Sequence, residues 1–178
     1  MRSVMWKDGR AAEYMAQVEK RLRDGGFTIT DDTGFGDSVF HVVARKRGFD
    51  IMMEAAETFF VFAEIRTTDP GALAQFSATA FDYAVKTRDR RLAQFSQGSR
   101  HVIVCFPVAV VDGIDPIIAE VLRNATPPFR WFNFEMLAVH DLREKGLHHS
   151  QKTPKWAWIG APWYYSKFRN TIDKTLRS

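Results

Sequence analysis

Residues 101–111 (His-Val-Ile-Val-Cys-Phe-Pro-Val-Ala-Val-Val) constrain this chain more than any other stretch. A strand wetted on one face alternates apolar and polar residues. This one barely alternates, so it belongs inside a sheet that is covered on both faces. The residues before it supply a cover. Asp69-Pro70 is a helix start, with Asp69 able to cap free N–H groups and Pro70 suited to the first turn. A helix from about residue 70 into the low nineties therefore leads into the buried strand. Further upstream, residues 39–46, 49–55 and 58–67 are three strand candidates. Lys46-Arg47-Gly48 and Ala56-Glu57 leave room only for tight connections between them, which predicts an antiparallel meander.

The rest of the chain fits around this frame. Ala11, Met15, Val18 and Leu22 recur at helical spacing over residues 9–24, and Gly25-Gly26 supplies a left-handed stop. Residues 27–30 read as extended and 31–37 as a turn-rich loop. Asp115-Pro116 repeats the capping device for a shorter helix ending near Asn124. Residues 131–140 read as another strand, and a last helix runs from 163 to about 176. The expected architecture is α+β: a mixed sheet with an antiparallel meander, flanked by helices. At 178 residues one domain is expected, with a core of about 9–141 and an aromatic and basic extension of about 142–178.

Composition excludes whole classes. A hydrophobic fraction of 46% and an aromatic fraction of 13% are too high for a disordered chain. No apolar run approaches the roughly 18 residues of a membrane span, and the first residues lack the apolar stretch of a secretory signal. The single cysteine, Cys105, allows no internal disulfide and fits a reducing cytoplasm. Within its apolar run it reads as a buried, inert thiol.

Chemistry concentrates at Asp50 and at Glu64-Ile65-Arg66. Residues two apart on a strand share a face, so Phe62, Glu64 and Arg66 form one row. With Asp50 at the start of a strand and Glu64 at the end of the next, the hairpin is expected to bring Asp50, Glu64 and Arg66 together. The bland reading of such a trio is a structural ion pair at a sheet end.

Leu22-Arg23-Asp24-Gly25-Gly26-Phe27, Gly48-Phe49-Asp50-Ile51 and Ala63-Glu64-Ile65-Arg66, followed by a helix and a buried strand, resemble the PD-(D/E)xK, or restriction-endonuclease-like, superfamily over roughly residues 9–111. The resemblance implies that core fold, Asp50 and Glu64 as ligands of Mg²⁺, and phosphodiester hydrolysis of nucleic acid. It places Arg66 where the family has a catalytic lysine, and makes Glu13 and Gln75 auxiliary candidates. Arginine stays protonated, so Arg66 can stabilise charge but cannot act as a general base. Phe49 stands where a proline would precede the first acid. Two functions are therefore expected: a Mg²⁺-dependent nuclease, or a catalytically inactive nuclease fold that binds DNA or RNA or self-associates as a homodimer.

Charge is uneven. Residues 143–178 hold eight basic and two acidic side chains, a net +6 within a total of +4. Lys86, Arg88, Arg90 and Arg91, with Lys152, Lys155, Lys167 and Arg169, are the cations expected to meet a phosphate backbone. A solvated helix face and a charged tail explain the same clusters. Trp156, Trp158, Trp163, Tyr164, Tyr165 and Phe168 can stack on bases, pack on the core or form a dimer interface, and packing or dimerisation is the stronger reading. His148-His149 lack spaced metal-ligating partners and read as loop histidines.

Overall fold

The computed structural model describes residues 6, 9–36, 38–51, 54–89, 101–128, 130, 133–155 and 162–177. Helix α1 (Gly9–Asp24) buries Ala11, Tyr14, Met15, Val18 and Leu22, the stripe its spacing dictates. It stops where Gly26 adopts φ 80° and Phe27 N donates to Leu22 O at 3.0 Å, a left-handed end for which glycine is favoured. Strands β1 (Thr28–Phe35), β2 (Ser38–Ile51) and β3 (Glu54–Glu64) follow. Helix α2 (Pro70–Thr87) is capped by Asp69, whose Oδ2 accepts from Ala72 N at 3.0 Å. Then come β4 (Val102–Val111), α3 (Pro116–Asn124), β5 (Phe134–Glu135), β6 (Ala138–Asp141), β7 (Gly146–His149) and α4 (Pro162–Leu176). Asp115 caps α3 through Ile117 N at 2.7 Å.

The seven-stranded sheet has the order β1–β2–β3–β4–β6–β7, with β5 beside β4. The β1–β2–β3 meander is antiparallel, β4 is parallel to both β3 and β6, and β7 returns antiparallel to β6. All ten residues of β4 are buried, as its composition requires. Pro107, which has no N–H to give, falls where the far edge of β4 changes partner from β5 to β6.

Helices α1 and α4 cover the face carrying Phe60, Phe62, Phe106 and Val108, while α2 and α3 cover the face carrying Phe59, Val61, Ile103 and Cys105. The protein is thus an α+β sandwich of helices around a mixed sheet. Residues expected to form an extension are part of it: Tyr165, Phe168, Ile172 and Leu176 of α4 share the α1-side core. Among the described residues, no helix is long and apolar enough to cross a membrane.

The meander has a different register from the one expected. Lys46-Arg47-Gly48 is not a turn; β2 continues straight through it, and β3 begins only at Glu54. The expected loop 31–37 is likewise mostly β1, pairing Asp31 with Val42 and Thr33 with Phe40. A buried acid on the next strand is the reason. Glu57 is fully buried, and its Oε1 accepts from Arg45 Nε at 2.8 Å and from Arg45 Nη2, with Arg47 Nε at 3.4 Å. Its Oε2 accepts from Asp89 N at 2.8 Å, just past the end of α2. Charges that look like a turn in the sequence are held in strand conformation by this one carboxylate.

Candidate functional site

That register decides the fate of the expected trio. Phe49 lies opposite Ala55 and Ile51 opposite Glu54, so Asp50 stands at the closed end of the β2–β3 hairpin. Glu64 lies nine positions further along β3 than Ala55 (64 − 55), roughly 30 Å away at about 3.3 Å per residue. Pairing of β2 with β3 begins at Val42↔Phe62, so the part of β2 near Glu64 is its beginning rather than its end. Asp50 therefore does not converge on Glu64 and Arg66. The expectation assumed that Asp50 opens a strand, and it closes one instead.

Glu64 and Arg66 do share a place, at the carboxyl ends of the parallel strands. With Thr68, Asp112 and Gly113 they line a cleft of about 250 Å³. Asp112, just past β4, pairs with Arg10 at 3.0 Å and lies 3.8 Å from Arg143. Beyond that ion pair, α1 contributes Glu13 to a second cleft of about 280 Å³ together with Arg10, Gln17, His140 and Lys145. Glu13 thus lies at the same end of the sheet as Glu64. Gln75 lies across the sheet from Glu13: it is exposed in the second turn of α2, which packs on the opposite face.

Asp50 and Glu64 are at opposite ends of the β2–β3 ladder, and no group of three metal-ligating side chains occurs among the described residues. His148 and His149 are not in a loop, since both belong to β7. His149 is buried, its Nε2 lies 3.1 Å from Asp173 Oδ1, and so it ties α4 to the sheet.

His140 floors the Glu13 cleft with its ring buried. Its ring stacks on Tyr14 at 3.6 Å, and its buried Nδ1 has no hydrogen-bond partner. Burial holds its pKa down to about 4; Asp141 pulls the other way, and His148 and Arg21 add to the lowering. The folded state therefore disfavours the protonated ring. Stability from this group is complete above about pH 6.5 and is lost as pH falls toward 4. The loss by pH 4 should be about 3 kcal/mol, the cost of a ring that protonates near 6.5 when unfolded and only near about 4 when folded. Denaturant melts at pH 7 and pH 4.5 should show a smaller difference for His140→Phe than for the wild type. Equal differences would mean that the ring is already protonated or solvated.

The expected cations divide between two sides of the molecule. Lys86 and Arg88 lie at the end of α2, where Lys86 Nζ sits 4.8 Å from the Phe35 ring centroid. Arg90 and Arg91 fall outside the described residues. Lys152 and Lys155 are exposed, and Lys167 and Arg169 lie half-buried on α4. Of the aromatic run, Tyr164, Tyr165 and Phe168 are core, and Trp163 is 53% exposed. Trp156 and Trp158 are outside the described residues. Three cations that the sequence did not single out, Arg21, Lys46 and Lys174, line a groove beside α4. Their signal was weak, because they are scattered over α1, β2 and α4.

No family model, curated protein or solved structure matches this chain.

Proposed function

We propose that this is a restriction-endonuclease-like protein of the reducing cytoplasm that binds nucleic acid and does not cut it through an Asp50–Glu64–Arg66 metal site. The observation that carries this reading is the β2–β3 register, which sets Asp50 and Glu64 about nine strand positions apart. The order helix, antiparallel meander, crossover helix and buried parallel strand supports the fold assignment. A net +6 over residues 143–178 supports a polyanionic partner. Homodimerisation through the aromatic run has less to work with, since Tyr164, Tyr165 and Phe168 are spent on the core.

Labelled single-stranded and duplex oligonucleotides should bind with an affinity that falls steeply as salt rises. Mg²⁺ should neither trigger cleavage nor raise the melting temperature, because a ligand stabilises a fold only by binding it. Mg²⁺-dependent cleavage that disappears in both Asp50→Ala and Glu64→Ala would overturn the proposal. Cleavage lost only in Glu64→Ala would overturn it too, by placing hydrolysis at the Asp112 end of the sheet.

A further inference from the structure

At the end of the sheet away from Glu64, two clefts of about 210 and 460 Å³ share Phe27, Lys46 and Thr171 as walls. Together they form one groove between the end of α1 and the outer turns of α4, floored by the sheet. Arg21, Lys46, Lys167 and Lys174 line it against a single acid, Asp24. Packing alone does not account for this charge. Arg21 Nη1 donates to Arg177 O at 2.6 Å, while its Nε and Nη2 are buried without a partner. Those two donors are closed off from water, so the cations that a ligand in the groove can reach are Lys46, Lys167 and Lys174. Lys46 Nζ donates to Gly25 O at 2.8 Å and sits 5.8 Å from the Phe27 ring centroid, which places a cation and an aromatic face together at the narrow point.

We infer that this groove holds the sugar-phosphate backbone of a single-stranded nucleic acid. The inference rests on the nucleic-acid-binding reading and gives it a location. Lys167 and Lys174 are seven residues apart on α4, about 10 Å along the helix axis. Two cations that far apart can meet different phosphates of one strand. Phe27 is half-buried, with its ring 5.5 Å from Phe60, so it is a fixed platform on which a base can stack. A concave track with an aromatic wall suits a flexible strand better than a rigid duplex. The groove contains none of Asp50, Glu64 or Arg66 among its lining side chains.

Anisotropy of a labelled single-stranded oligonucleotide, a duplex of the same sequence and heparin tests this on the full chain. Lys46→Glu with Lys174→Glu alters two exposed side chains, and an unchanged melting curve certifies the fold. The variant should bind the single strand at least about tenfold more weakly, and its log-log salt slope should flatten by about 1.4, two contacts at about 0.7 each. Lys20→Glu with Arg123→Glu, two exposed cations that do not line the groove, should change affinity much less. Single-strand binding that survives Lys46→Glu/Lys174→Glu would overturn the groove assignment while leaving nucleic-acid binding intact. Preference for duplex, or binding of heparin alone, would also overturn the groove assignment. Failure of the wild type to bind any nucleic acid would remove the functional reading itself.

Discussion

Glu57→Ala should cost the protein about 3 kcal/mol or more, the loss expected when one member of a buried ion pair is removed and the other charge stays behind. Glu57 is fully buried and serves Arg45, Arg47 and the Asp89 N–H at once, so it joins β2, β3 and the end of α2. His101 Nε2 also lies 3.0 Å from Glu57 Oε2, without the alignment of a hydrogen bond. Arg45 and Arg47 are 25% and 55% exposed, so water recovers part of the loss, which keeps the figure at the lower end of its range. For a chain of this size the melting temperature should fall by roughly 6–12 °C. Glu57→Gln should cost less, since one amide oxygen still accepts. Pairing Glu57→Leu with Arg45→Leu should recover much of the stability, because the desolvation of both charges goes with them. A Glu57→Ala protein that melts with the wild type would show that the cluster contributes nothing.

Phe106→Ala should be as damaging, at about 3–5 kcal/mol, because it leaves a cavity where sheet and helix meet. The Phe106 side chain is 1% exposed, and its ring lies 4.8 Å from that of Phe60 and 5.8 Å from that of Phe168. It therefore couples β3, β4 and α4 at once. Its neighbour Cys105 points to the α2 face, where burial also pushes the thiol pKa well up and keeps it unreactive. Cys105→Ala removes one sulfur and should cost of order 1 kcal/mol. Urea titrations of the two variants measure the difference directly. Equal losses would mean that the two faces of β4 are not packed as described.

The sequence made the frame of this protein legible and its site much less so. Fully apolar residues at 102–111 can only be a doubly covered strand, and they are. Asp69-Pro70 and Asp115-Pro116 start helices because the carboxylates accept from N–H groups that have no other partner. The hairpin register was a different matter. Lys46-Arg47-Gly48 has the composition of a turn, and only the distant Glu57 makes it a strand. That single misplacement moved Asp50 from the start of a strand to its end and created the apparent trio. Strand β7 was missed because Gly146-Leu147-His148-His149 is short and polar, and its pairing with β6 is tertiary information. The groove cations lie on three elements far apart in sequence, so nothing local could assemble them.

The separation of Asp50 from Glu64 is the claim on which the function rests, and a distance measurement reaches it directly. Spin labels on Asp50→Cys and Glu64→Cys, in a Cys105→Ala background, can be read by pulsed dipolar spectroscopy. A distribution centred at roughly 30 Å follows from the register described here. A distance under about 15 Å would mean that strand pairing brings the two positions together after all. That result would restore the hydrolytic trio and contradict the binding-only account.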